Sequence, residues 1–140
     1  MSKLIEQLKR HEGVRTHAYL CSNGKITCGV GRNLDEDGGV GLSVSEIEFL
    51  LTNDVERCRL ELSAFPWFED LDSVRQDALI NMCFNLGMTR LLGFKNALAR
   101  MAEGDYPKAA NEFLDSLWAS QVGNRADEIA DMILTGRYPE

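Results

Sequence analysis

The dipeptide Asn23-Gly24 constrains this chain more tightly than any other feature. Asn-Gly is the strongest short-range signal for a β-hairpin. Here Ser22-Asn23-Gly24 lies between two extended stretches, Ala18–Leu20 and Lys25–Val30. Alternation in the second stretch puts Ile26, Cys28 and Val30 on one face and Lys25, Thr27 and Gly29 on the other. Gly29 and Gly31 leave the backbone bare beside Thr27, which suits close approach by a bulky ligand. Upstream, Leu4, Leu8 and Glu12 recur every four residues and share one side of a helix. Glu12 thus extends an apolar stripe, an unusual place for a carboxylate, and Gly13 marks the helix end. Partial burial and the negative end of the helix dipole both disfavour its ionised form. A general acid that keeps its proton near neutral pH is made in this way.

The remainder reads as helices. Asp35–Gly41 is a polar, glycine-rich connection. Ser43 with Glu46 forms a capping-box pattern, and Ile47, Leu50, Leu51, Val55, Cys58 and Leu62 follow at helical spacing. Phe65-Pro66-Trp67-Phe68 ends that helix, and its aromatics read as core. Ser73 with Gln76 starts the next helix by the same capping logic. Val74, Ala78, Leu79, Met82, Cys83 and Leu86 form its broad apolar face and Gly87 stops it. A further helix runs Leu91–Glu103, closed by Gly104. Asp105 caps another, with Pro107 tolerated in its first turn and Ala110, Phe113, Leu114 and Leu117 facing inward. The last helix begins at Asn124, buries Ile129, Met132 and Ile133, and stops at Gly136.

A chain of 140 residues is one domain by length and can bury about 68–70% of its unfolded surface. The formal charge of −7 and the lack of a basic stripe argue against a nucleic-acid binder. That charge also gives no long-range attraction to an anionic polymer. Cys21, Cys28, Cys58 and Cys83 lack metal-ligand spacing, so neither a metal nor a cofactor is expected. They read as free thiols of a reducing compartment, Cys58 and Cys83 lying on apolar helix faces. Alternation argues against a Cys21–Cys28 bridge, because Cys28 shares a face with Ile26 and not with Thr27. Met1–Arg10 is polar and amphipathic without a signal-type apolar core, and no run reaches the length of a membrane span.

Taken singly, Glu12, Cys21 and Thr27 have ordinary readings: a solvated helix end, a small filler and a strand residue. Their spacing is more informative. Eight residues separate Glu12 from Cys21 and five separate Cys21 from Thr27, and Gly29-Val30-Gly31-Arg32-Asn33-Leu34 follows. This pattern resembles the catalytic hairpin of the phage-type lysozymes, glycoside hydrolase family 24, which includes the lysozymes of T-even phages. Ser73–Gly87 resembles that family's central helix, Gly93-Phe94-Lys95-Asn96 the turn after it, and Trp118–Ala126 its C-terminal motif. The similarity runs in order along nearly the whole chain. Three features depart from it: Cys21 where many members carry Asp, a shorter segment after the hairpin, and an acidic net charge.

The resemblance implies an α+β, predominantly helical, lysozyme-like fold of a single domain. It has a small hairpin lobe at about 13–45 and a helical lobe at about 60–140 joined by the N-terminal helix. It implies an endolysin that hydrolyses the β-1,4 bond between N-acetylmuramic acid and N-acetylglucosamine in peptidoglycan and so lyses the host. It also implies a monomer that waits in the host cytoplasm, without membrane insertion, until a holin opens the inner membrane. Glu12, Cys21 and Thr27 become the catalytic set. Asn33, Phe84 and Asn85 line the substrate, and Arg125 pairs with Glu12.

The chemistry needs a proton on the leaving oxygen and a nucleophile at the anomeric carbon, and the usual second carboxylate is missing. Three readings stand: Cys21 and Thr27 hold a water as neutral groups, Cys21 acts as a thiolate, or Asp35 or Glu36 substitutes. Nothing adjacent in sequence lowers the Cys21 pKa, which favours the first, with Thr27 as the main water ligand and inverted product. An inactive glycan-binding relative is the alternative, with the missing Asp in its favour.

Overall fold

Two polypeptide units follow one another in the computed structural model, which describes residues 2–140; Met1, the first residue of the amphipathic segment, lies outside them. The first ends at Leu50 and the second spans Leu51–Glu140.

The first unit opens with helix α1 (Ser2–Glu12), followed by strands β1 (Arg15–Leu20), β2 (Ile26–Gly29) and β3 (Arg32–Asn33). The strands form an antiparallel sheet in the order β1-β2-β3. The hairpin expected from Asn23-Gly24 forms: the Gly24 amide donates to the Cys21 carbonyl at 2.8 Å and the Cys21 amide to the Lys25 carbonyl at 2.9 Å. Gly24 has φ +75° and Asn23 does not enter the left-handed region, so glycine supplies the one residue the turn needs there. Between Arg15↔Gly29 and Tyr19↔Thr27 the register shifts, so β1 bulges against β2. The short third strand had no alternating pattern of its own to announce it.

Glu12 closes α1 as expected, but the helix buries no residue: Leu4 and Leu8 stay 58% and 38% exposed, and Glu12 is exposed with them. The apolar stripe therefore does not carry Glu12 into an interior, and the expected partial burial is absent. Among the described residues of the first unit, Thr27 alone is buried, at 4% exposure. Hydrogen bonds and ion pairs, rather than an apolar core, hold this unit together.

Helix α2 (Val44–Leu62) starts in the first unit and continues into the second. Its capping box forms as read: the Ser43 amide donates to Glu46 Oε1 at 2.8 Å and the Glu46 amide to Ser43 Oγ at 3.2 Å. Of its apolar series only Cys58 and Leu62 are buried, while Ile47, Leu50 and Leu51 remain exposed.

The second unit is all helical: α3 (Ser73–Leu86), α4 (Met88–Leu91), α5 (Lys95–Glu103), α6 (Tyr106–Leu114), α7 (Leu117–Val122) and α8 (Asn124–Thr135). Packing of α3, α6 and α7 on α8, and of α5 on α6, builds its core. Ala78, Leu79, Met82 and Cys83 of α3 are buried as the periodicity predicts, and Ile80 joins them. Phe68 is fully buried, and Phe65 stacks on Trp67 with centroids 4.8 Å apart, so the aromatic cluster is core. The four cysteines are free; burial and the neighbouring Cys58 push the Cys83 thiol up to about 12.

Three helix boundaries differ from expectation. Asp72, not Ser73, caps α3, its carboxylate accepting from the Arg75 amide at 3.1 Å, because a carboxylate is a stronger N-cap acceptor at a dipole's positive end. The helix expected at Leu91–Glu103 is broken at Leu92-Gly93-Phe94 into α4 and α5. Leu114 and Leu117, expected inside, are 40% and 75% exposed, because α6 ends at Leu114 and Ser116 caps the new helix α7.

Arg75 ties α3 to the end of α8. Its Nε donates to the Ile133 carbonyl at 2.6 Å and Nη2 to the Leu134 carbonyl at 3.1 Å, while the guanidinium lies 3.8 Å over the Tyr106 ring. It thereby satisfies carbonyls that a helix C-terminus leaves open. Leu79, fully buried in α3, has no such polar substitute. Leu79→Ala is expected to lower unfolding free energy by about 2–5 kcal/mol, measured by urea denaturation followed by circular dichroism.

Candidate active site

Three of the residues singled out in the sequence come together on the first unit. Glu12 ends α1, Cys21 opens the hairpin turn and Thr27 sits in β2. Gly31 locates the acid: a Cβ built there would lie 2.9 Å from Glu12 Oε2 and 3.1 Å from Glu12 Cδ and Cγ. The Glu12 side chain therefore lies against the bare Gly31 backbone, which has φ +66°. Two independent reasons make residue 31 a glycine: the left-handed conformation and the space the carboxylate occupies.

Cys21 and Thr27 are joined through the Lys25 peptide. The Lys25 carbonyl accepts the Cys21 amide at 2.9 Å and the Thr27 hydroxyl at 3.0 Å. The backbone at Lys25 and then at Asn23 lowers the Cys21 thiol pKa from its ordinary value, against a desolvation effect and with the Thr27 hydroxyl as a lesser cause. A group surrounded by donors favours its anion. This overturns the expectation that nothing near Cys21 lowers its pKa: the donors are backbone amides, which carry no signature in residue type.

Asp35, considered as a stand-in carboxylate, is otherwise engaged. Its Oδ2 accepts from the Ile26 amide at 3.0 Å and its Oδ1 from the Asp37 amide at 3.0 Å. These amides, with Lys25 nearby, lower its pKa. Such a carboxylate is a poor proton acceptor. Glu36 is exposed.

Asn33, expected at the substrate, has a structural task. It pairs with Thr27 across β2 and β3, and its Oδ1 accepts from the Asp35 amide at 2.9 Å. Arg32 beside it donates from Nη1 to the Gly41 carbonyl at 3.0 Å and forms a two-point pair with Glu46, at 2.9 Å and 2.7 Å. The Arg32 guanidinium, then the Ser43 amide and hydroxyl, hold the Glu46 carboxyl at about 2. Sequence reading missed Arg32. Its signal was the capping-box Glu46, whose position was legible but whose second partner was not.

The other residues lie in the second unit. Phe84 is 46% exposed and lines a cavity of about 260 Å³ with Val55, Asp77, Ile80, Asn81 and Arg125. Asn85 accepts at Oδ1 from the buried Trp118 indole N–H at 2.8 Å, which gives it a structural role. Arg125, in the first turn of α8, donates from Nε to Asn81 Oδ1 at 2.9 Å and from Nη2 to the Asn81 carbonyl at 3.3 Å. The partner an Arg at that position calls for is therefore occupied by α3 within the same unit.

The fold is α+β and predominantly helical, with a small antiparallel sheet. The phage lysozyme family model matches residues 9–131. The chain belongs to the phage lysozyme family and is a lysozyme-type hydrolase. It is 27% identical to "Probable T4-type lysozyme 1" of Dictyostelium discoideum, over 97% of this chain and 96% of that protein. It is 30% identical to the endolysin of Salmonella phage P22, over 97% of this chain and 90% of that one. To the endolysin of Acyrthosiphon pisum secondary endosymbiont phage 1 it is 30% identical, over 84% and 80%.

Gly31→Ala is expected to displace the Glu12 carboxylate and to lower hydrolytic rate on the order of tenfold or more, measured as glycan cleavage with helical content unchanged. The Arg32–Glu46 pair has a definite pH signature. Glu46 has a depressed pKa, so its stabilisation is complete above the ordinary value of 4.5 and is lost as pH falls from there through about 2. The melting difference between the parent and Glu46→Gln should therefore be constant above about pH 5 and close below it. It should be small, since both side chains are more than a third exposed.

Proposed function

We propose that this protein is an endolysin that cuts the β-1,4 bond between N-acetylmuramic acid and N-acetylglucosamine in peptidoglycan. Glu12 is the general acid and gives its proton to the leaving glycosidic oxygen. A water held by Thr27 and Cys21 attacks the anomeric carbon and leaves the product with inverted configuration. The observation that carries this reading is the shared Lys25 carbonyl, which accepts the Cys21 amide at 2.9 Å and the Thr27 hydroxyl at 3.0 Å and so sets the two residues beside one another. A thiolate restores the anion that the missing carboxylate would otherwise supply. It draws the proton from the water while Thr27 orients it.

Both earlier uses of Cys21 thus merge: it positions the water and acts as its base. Attack by sulfur itself is disfavoured, because a thioglycoside is a poor intermediate to hydrolyse. Phe84 and its cavity offer an apolar wall for the substrate. The two phage endolysins among the relatives support lysis of a bacterial host as the biological setting. In this reading the enzyme acts as a monomer and reaches the wall after a holin opens the membrane. Among the described residues no helix is long and apolar enough to cross one.

The test is release of reducing ends from purified peptidoglycan. Glu12→Gln is expected to lose on the order of 10²–10⁴-fold in rate. Cys21→Asp should retain activity and move its acidic limb to lower pH, since a carboxylate ionises below a thiol, whereas Cys21→Ala should lose that limb. Retained anomeric configuration in the first product seen by NMR would sink the water mechanism. A parent that binds peptidoglycan but releases nothing across pH and salt would leave a glycan-binding protein instead.

A further inference from the structure

We propose that Asp35 is a positioning residue of the reaction centre, whose carboxylate locks the Lys25–Ile26 peptide and thereby sets both Cys21 and Thr27. The proposal rests on the assignment of those two residues given above.

The argument begins with one peptide unit. The carbonyl of Lys25 and the amide of Ile26 belong to the same planar group and point in opposite directions. The carbonyl end accepts the Cys21 amide at 2.9 Å and the Thr27 hydroxyl at 3.0 Å. The amide end donates to Asp35 Oδ2 at 3.0 Å. One carboxylate oxygen therefore fixes the tilt of the plane on whose far side the reacting groups hang. A charged acceptor on the amide also polarises the carbonyl and strengthens the bonds it receives.

Asp35 is itself fixed. Its Oδ1 accepts from the Asp37 amide at 3.0 Å, and its own amide donates to Asn33 Oδ1 at 2.9 Å. Lys25 Nζ reaches Asp37 Oδ2 at 3.1 Å, and the Leu34 amide donates to the Ile26 carbonyl at 2.8 Å. The segment after β3 is thus fastened to residues 25 and 26 at three points, in a unit where Thr27 is the one buried described residue. No apolar packing can substitute for these bonds. Both Asp35 oxygens are taken by amides, which distinguishes a bracket from a base.

The test uses the intact chain carrying Cys28→Ser, so that Cys21 is the one thiol open to alkylation; Cys58 and Cys83 are buried. The pH midpoint of iodoacetamide alkylation of Cys21 is measured in the parent, Asp35→Asn and Asp35→Ala, together with kcat and KM on soluble peptidoglycan strands. The midpoint is expected to rise toward the ordinary thiol value of about 8.5 in both variants. Values of kcat should fall by up to about 10²-fold with KM changed little.

A midpoint unchanged in both variants overturns the proposal. A fall in kcat with an unchanged midpoint makes Asp35 the base and overturns it equally. The thiol measurement needs no substrate, so a parent without hydrolytic activity would sink the proposed function and leave this inference standing or falling alone. Should the variant hairpins fail to form, amide NMR of the parent decides. The Ile26 and Asp37 amides must shift together as the Asp35 carboxyl titrates, and independent behaviour of the two overturns the bracket.

Discussion

A unit that buries one described side chain, and that one polar, must be held by something other than the hydrophobic effect. The first unit meets this constraint with bonds from side chains to backbone. Asp35 fastens β2, Asn33 fastens the turn after β3, and Arg32 joins β3 to Gly41 and to the first turn of α2. Each such bond contributes only about 0.5–1.5 kcal/mol net, or about 1.5–3 kcal/mol where a charged group takes part. Their value lies in direction: a hydrogen bond specifies an orientation, whereas apolar contact specifies only proximity. The second unit, with Leu62, Phe68, Leu79, Met101, Phe113 and Ile133 fully buried or nearly so, supplies the apolar core that the first lacks.

The Cys21 environment shows how a backbone can stand in for a formal charge. The causes that lower the Cys21 pKa are chiefly backbone groups, those of Lys25 and Asn23, and not a cationic side chain. Amides in a turn are positioned by the turn itself, so they cost no side-chain entropy and need no reorganisation when the sulfur ionises. A Cys21 flanked by lysines in sequence would have been easy to read as activated. A Cys21 flanked by a Ser-Asn-Gly turn reads as inert until the chain is folded.

That difference explains what was legible in the sequence. Periodicity and turn residues placed the buried face of α3 and the stops at Gly87, Gly104 and Gly136 in the second unit, and the capping box located the start of α2 in the first. Periodicity failed at Leu92-Gly93-Phe94 and at Leu114–Leu117, where a helix breaks and restarts without an interruption in apolar content. For the site, Asn23-Gly24 located the hairpin, and the Glu12–Cys21–Thr27 spacing pointed to the family whose model matches the chain. Burial of Glu12 was read from a stripe that the fold leaves open. Asn33 and Asp35 also hold the backbone around them. Polar residues near a catalytic motif look like substrate ligands in sequence, but a small unit without a core must use them on its own backbone.

The same physics reconciles the site with an acidic chain. A formal charge of −7 works against any further anion, the thiolate included, and against approach to an anionic wall. Those effects act over distances that physiological salt screens beyond about 8 Å. The donors around Cys21 act at hydrogen-bond range, where screening by salt is ineffective. Three of the acids near the hairpin also have local partners: Asp35 is hydrogen-bonded by two amides, and Asp37 and Glu46 are paired with Lys25 and Arg32. Net charge therefore governs how fast the enzyme meets its polymer and how that rate depends on salt. The lowered pKa of Cys21 follows instead from the Lys25 peptide and the turn that carries it.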